Sequence, residues 1–223
     1  MTINNRVLCR GRSSLVALFL LPGAPPGWGS SQEVHPLRGE EVAVYNLAGA
    51  VEIVGGSGND VEVQVLRGGE DGDRLEVEVT EVGGRPTLIV HYPDDRIVYP
   101  GLGRGSRTQI RLRSDGTFSG DWGGLRSREV QISGSGRGME AWADLRISMP
   151  AGRDVSMFQA AGEVQVMGVD GSVLVDVGTG TVSARDARGT LSLDTGSGAV
   201  TVDGFQGELE VDTGSGDVEL LAV

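Results

Sequence analysis

Lysine is absent from this 223-residue chain, cysteine occurs once, at Cys9, and histidine twice, at His35 and His91. One cysteine excludes an internal disulfide. With no lysine and no serine in a GxSxG setting, the common nucleophilic constellations are missing as well. The two histidines are far apart and neither stands in a metal-ligand spacing such as HxxxH. Aromatic residues make up only 4% of the chain, so a core has to be built from Val, Leu and Ala. All 19 cations are arginine against 31 acids, a net charge of −12 that argues against nucleic acid or an anionic membrane surface as partner.

Long apolar runs are also lacking. The longest, LVALFLL at residues 15–21, has seven residues and is too short to span a bilayer. It follows Arg6, Arg10 and Arg12 and precedes PGAPPGWGSS, the pattern of an export signal covering residues 1–31. Cys9 lies ahead of that run, so it is no lipoprotein anchor. Loss of three arginines and no acid would take the mature chain from −12 to −15. The expectation is an exported domain over residues 32–223, periplasmic, cell-surface or secreted, with no membrane span of its own.

What is abundant is glycine in step. From Gly162 it recurs every nine residues, at Gly171, Gly180, Gly189, Gly198, Gly207 and Gly216. The units read GEVQVMGVD, GSVLVDVGT, GTVSARDAR, GTLSLDTGS, GAVTVDGFQ, GELEVDTGS and GDVELLAV, with apolar third and fifth positions throughout. Alternation followed by a Gly/Asp/Ser/Thr cluster predicts one short strand and one corner per unit. The corners alternate between a TGS-like kind and one with an apolar residue at Val169, Ala187 or Phe205, so the structural period is eighteen. Two strands per coil, stacked in parallel ladders, predict an all-β, single-domain β-solenoid, parallel β-helix-like.

Looser alternation in VAVYN, GAVEI, DVEVQV, LEVEV and TLIV, between residues 42 and 90, predicts earlier and less regular coils. Residues 92–143 differ: Gly-rich, with Trp122 and Trp142, and with eight Arg against five acids between residues 101 and 146. RTQIRLRS and REVQIS alternate within it, which predicts an insertion carrying a hairpin.

The opening VAVYNLAGAVEIVGGSGNDVEVQV, the restart RISMPAGRDVSMFQAAGEVQV and the tandem DTGSGDVEL-type units together resemble the bacterial "putative adhesin" domain of unknown function. The resemblance covers most of the chain after residue 31, the Arg/Gly-rich middle least. It implies a solenoid-like all-β fold, an envelope or secreted location, and an adhesive or envelope-associated role with no catalytic residues to carry over.

DTGSG occurs at Asp194 and again at Asp212, with a degenerate copy at Asp176. Aspartic proteases also present Asp-Thr-Gly, but they need two carboxylates sharing a proton across a dyad. Here the eighteen-residue period relates the aspartates by translation. The alternatives are carboxylates bonded to the N–H groups of their own turns, and a column of Asp176, Asp194 and Asp212 that holds a cation such as Ca²⁺ between coils. GGSGND occurs only once, at residues 55–60, which counts against a dedicated calcium repeat. No other cofactor is expected.

A ligand surface in the insertion would use Arg111, Arg113, Trp122 and Trp142, the tryptophans stacking on sugar rings. The leading expectation is a non-enzymatic protein that binds an envelope or extracellular component. A carbohydrate-binding or carbohydrate-active protein and a calcium-dependent secreted repeat protein stand beside it. Open solenoid ends also predict end-to-end self-association.

Overall fold

The structure, a computed structural model, describes residues 33–119 and 126–223. The expected export signal and Trp122 lie outside the described residues. The fold is all-β: among the described residues the helical content is two single-turn 3-10 segments, Gly72–Arg74 and Pro100–Leu102.

Alternating apolar residues in short runs between glycines produce three sheets. The first has eight strands in the order Glu33–Leu37, Val61–Gly68, Trp142–Pro150, Val51–Gly56, Val164–Met167, Val182–Arg185, Val200–Asp203 and Val218–Leu221. The second has seven: Gln206–Thr213, Arg188–Ser197, Asp170–Thr179, Asp154–Ala161, Glu41–Ala48, Arg85–His91 and Glu76–Val82. The third orders Met139–Glu140, Arg96–Val98, Ser127–Ser133 and Arg107–Arg113.

From Asp154 onward every pairing within the first two sheets is parallel and joins residues eighteen apart, as in Val173 with Leu191 and Val182 with Val200. This register places Met157, Val175 and Leu193 in one inward column, and Val164, Val182 and Val200 in another. All six are buried in a single core cluster that also takes in Ile97, Val130 and Ile132 of the third sheet. Each such side chain contributes about 1.5–3 kcal/mol on burial. The regular ladders extend backward to Glu41–Ala48 and Val51–Gly56, joined to Asp154–Ala161 and Val164–Met167 at an offset of 113 positions, and on their other sides these two strands pair in parallel with Arg85–His91 and Trp142–Pro150.

Two of the early segments depart from the expected parallel coils. Val61–Gly68 runs antiparallel to Trp142–Pro150, which is slotted between it and Val51–Gly56, and Glu76–Val82 runs antiparallel to Arg85–His91. Parallel neighbours need a crossover of about a dozen residues or more, which the second of these connections is too short to make. Gly83 and Gly84 form the second one, with φ of 61° and 82°, the two left-handed residues of a tight hairpin turn. Within residues 92–143, the two alternating segments form the expected hairpin, Arg107–Arg113 against Ser127–Ser133.

Of the two DTGS copies, the strand Gln206–Thr213 ends inside the second, but the first is strand rather than corner. Arg188–Ser197 extends through it, and the chain turns at Gly198, where the N–H bonds to Ser215 O at 2.9 Å. Inside this corner runs a column of buried polar side chains. Asn46 Nδ2 donates to Ala48 O and Ala143 O, and Gln159 Nε2 to Gly49 O and Ala161 O. They take up carbonyls that the turning backbone leaves inside the core.

Candidate functional site

Because the seven-stranded sheet is in register, its outward residues form a straight column: Ile89, Tyr45, Phe158, Asp176, Asp194, Asp212. Tyr45 and Phe158 stack with ring centroids 4.5 Å apart. The tip of the insertion hairpin lies across this half of the column, with Phe118 edge-on to Tyr45 at 5.6 Å. Burial raises the Tyr45 phenol above its ordinary value, against the opposing pull of Arg85 and Arg113.

The tip is a bonded loop. Thr117 donates through N and Oγ1 to Asp115 Oδ1 at 3.0 and 2.7 Å. Arg113 donates to Thr117 Oγ1 at 3.0 Å and to Ser119 O at 2.6 Å. Ser119, held at a left-handed φ of 72°, donates Oγ to Asp176 Oδ2 at 2.5 Å. Arg113 therefore shapes the loop that covers the aromatic pair. Arg111 is exposed, opposite Glu129 in the hairpin.

Trp142 belongs to another part of the fold. Its ring lies on the backbone of Gly68, where a Cβ would come within 2.4 Å of it, and is tilted against Tyr99 at 5.9 Å. Beside it, burial raises the Asp144 carboxyl, opposed by bonds from Ala50 N and the Trp142 side chain. The four residues singled out in the insertion thus have separate surroundings: Arg113 in the loop tip, Arg111 on the hairpin surface, Trp142 as packing, and Trp122 outside the described residues.

Beyond the hairpin tip, Asp194 and Asp212 are exposed, and the turn N–H groups bond to backbone carbonyls instead of to these carboxylates. Partial loss of water raises the Asp194 carboxyl, and the flanking Asp176 and Asp212 raise it further. Among the described residues, no group of three or more His, Cys, Asp or Glu is placed to hold a metal ion.

A carboxyl that titrates above its unfolded value stabilises the fold most at low pH, and that contribution is lost as pH rises through its folded value. Asp194→Asn is therefore expected to stabilise the fold slightly near pH 7, by less than about 1 kcal/mol because solvent screens the column, and so to raise its melting temperature. The gain should vanish near pH 3, where aspartates are mostly protonated. Paired thermal melts at the two pH values check this, and a gain unchanged at low pH would exclude the electrostatic cause.

The outward face of the eight-stranded sheet carries a feature that the sequence reading did not single out. Thr181, Ser183, Ala199 and Thr201 are small, and they floor a trough of about 320 Å³. Glu163 and Gln165, joined by a 2.8 Å hydrogen bond, form one wall, and Met167 and Arg185 contribute to the rim. The signal was in the repeats, whose second and fourth positions in these units are small and polar or methyl-bearing. A second cleft, of about 520 Å³, lies by the edge hairpin among Arg74, Glu76, Glu78, His91 and Pro93. There His91 Nε2 is 2.8 Å from Glu78 Oε2, and Arg74 is 2.9 Å from Asp94.

No family model matches this sequence, and no curated protein does. Among solved structures, a "putative cell adhesion protein" from Clostridium sporogenes ATCC 15579 is similar at a TM-score of 0.46 and 10% identity, over 86% of this chain and 98% of that one. Likeness at that level transfers no function.

Proposed function

We propose that this chain is an exported β-solenoid of eighteen residues per coil that works by binding, not catalysis, at the cell envelope or outside it, in an adhesin-like or structural role. The observation that carries this reading is the straight registration of outward residues, such as Gln165, Ser183, Thr201 and Glu219 along one face. Such columns offer like groups about every 4.8 Å and suit an extended, repeating envelope polymer better than a compact substrate. The trough floored by Ser183 and Thr201 is the proposed seat of that polymer, with hydroxyls for its polar groups and the Thr and Ala methyls for its apolar ones. The acidic balance and the export-like first 31 residues accord with such a location.

The test is sedimentation of the purified protein with envelopes of the producing cell. The double variant Ser183→Lys, Thr201→Lys is expected to lower bound protein at least about tenfold, because two ammonium groups would fill the trough. Arg111→Ala should bind as the unaltered protein does. Equal binding by both variants would overturn the trough as the seat. Turnover of an acidic polysaccharide that Arg111→Ala abolishes would replace the reading with an enzymatic one. Melts in EDTA and in millimolar Ca²⁺ are expected to coincide, and a large Ca²⁺-specific rise would favour the calcium-dependent alternative.

A further inference from the structure

The outer face of the four-stranded sheet runs against the charge of the chain. Residues 96–140 hold eight arginines against four acids, in a chain whose net charge is −12. In register, Arg96 lies beside Gln131 and Gln131 beside Gln109, with Arg107 two residues along from Gln109 on the edge strand. Ile97 and Ile132, at the alternate positions, are buried in the core, so these four side chains share the outer face. Arg96, Gln109 and Arg107 are exposed. Two strand widths across and two residues along put the Cα atoms of Arg96 and Arg107 about 12 Å apart. Beyond Arg107, the turn at Gly103–Ser106 and the loop after Ser133 meet back to back. Gly134 N donates to Ser106 O at 3.1 Å, and a Cβ on Gly134 would lie 1.8 Å from Gly103 O. These two loops bring the exposed Arg104 and Arg137 to the same end of the sheet as Arg107.

Among the described residues, Arg96, Arg104, Arg107 and Arg137 take part in no ion pair, whereas Arg38, Arg67, Arg74, Arg128, Arg146 and Arg188 do. Of the acids on this face, Glu129 stands opposite Arg111, and Glu140 is half-buried on the far edge strand. At physiological salt a charge is felt over about 8 Å, so the face presents its own sign to a ligand despite the acidic whole. We propose that it binds a carboxylate-bearing polysaccharide, at a site apart from the trough and independent of that reading. A guanidinium is a planar fork whose paired donors fit the two oxygens of a carboxylate. Gln109 and Gln131, between the arginines, each carry donors and an acceptor, as a sugar hydroxyl requires. Arg96 and Arg107 hold two carboxylates of one polymer chain, the amides hold hydroxyls between them, and Arg104 and Arg137 extend the track past the end of the sheet. A small acid would engage one fork only, so an extended polymer gains the most from this spacing.

Calorimetric titration of the protein with polygalacturonate, at low and at physiological salt, tests this. Binding is expected, weakening as salt rises, and neutral dextran should not bind. The double variant Arg96→Gln, Arg107→Gln should raise the Kd for polygalacturonate at least about tenfold, since two charge-assisted contacts are lost. Arg38→Gln, Arg188→Gln takes the same charge from exposed positions elsewhere on the fold and should bind as the unaltered protein does. All four positions are exposed, so circular-dichroism melts should stay in place. Arg104→Gln, Arg137→Gln, in the loops, should weaken binding as well, without touching a strand. No binding of polygalacturonate at low salt would overturn the proposal. Equal losses in the strand pair and in the Arg38, Arg188 pair would do so too, by showing an effect of bulk charge alone. Polyglutamate bound as tightly as polygalacturonate would make the ligand an acidic peptide and overturn the assignment to a sugar polymer.

Discussion

Replacing Gly198 by alanine is expected to destabilise the fold by about 4 kcal/mol or more, a large share of the stability of an ordinary domain. A Cβ at this position would lie 1.9 Å from Gly180 O and 2.6 Å from its carbonyl carbon. Those atoms are backbone of the adjacent layer, fixed by its own ladder bonds, so neither can swing aside as a side chain would. The φ of +143° adds strain for any L-residue with a side chain. Gly180 stands in the same relation to Gly162, and Gly216 to Gly198, so relief at one corner would be transmitted to the next. Gly58→Ala is the control. Its φ is +111° but the space around it is open, so only the conformational cost of about 1–3 kcal/mol should be seen. Urea unfolding of both variants decides the matter, and equal losses would show that strain, not the close approach of layers, sets the requirement for glycine.

Asn46→Ala is expected to cost about 3–4 kcal/mol, the second largest of these effects. Asn46 is fully buried, donates to Ala48 O and Ala143 O at 3.1 and 2.8 Å, and accepts from the Tyr92 hydroxyl at 2.9 Å. Its loss leaves Ala143 O without this bond and takes one acceptor from the Tyr92 hydroxyl, which also bonds to Ala48 O at 3.0 Å. Burial already holds the Tyr92 phenol far above its ordinary value, so ionisation offers no escape in the usual range of pH. Tyr92→Phe removes a single hydroxyl and should cost less, about 1–2 kcal/mol. If the two were combined and their losses simply added, the bond between Asn46 and Tyr92 would carry no energy of its own.

The regular half was legible because its period was uninterrupted. Nine-residue glycines and alternating valines specify strand, face and an eighteen-residue offset, and the pairing of Asp176 with Asp194 and of Asp194 with Asp212 follows from that offset. The position of the corner within DTGSG was not legible. Thr and Ser favour turns and strands alike, and only the close approach at Gly198 decides that the bend comes after Ser197. The antiparallel edge hairpin has its signal in Gly83-Gly84, a pair suited to a two-residue turn, against an alternation that parallel and antiparallel strands share. Placement of the insertion was illegible for a different reason. That Phe118 would meet Tyr45, and Trp142 the bare backbone of Gly68, depends on contacts between segments without any common period.

The long offset of the early ladders also bears on how this chain folds. Phe158 is equally a ladder neighbour of Asp176 and of Tyr45, yet Asp176 is eighteen positions away and Tyr45 is 113. On loop-closure entropy alone, forming the second contact costs about 1.6 kcal/mol more than the first. The C-terminal layers can therefore zip together from neighbour to neighbour, while Glu41–Gly56 waits for a finished surface on which to dock. The most regular part of the molecule is therefore expected to nucleate folding, with the layer nearest the amino terminus, though made first, ordered later.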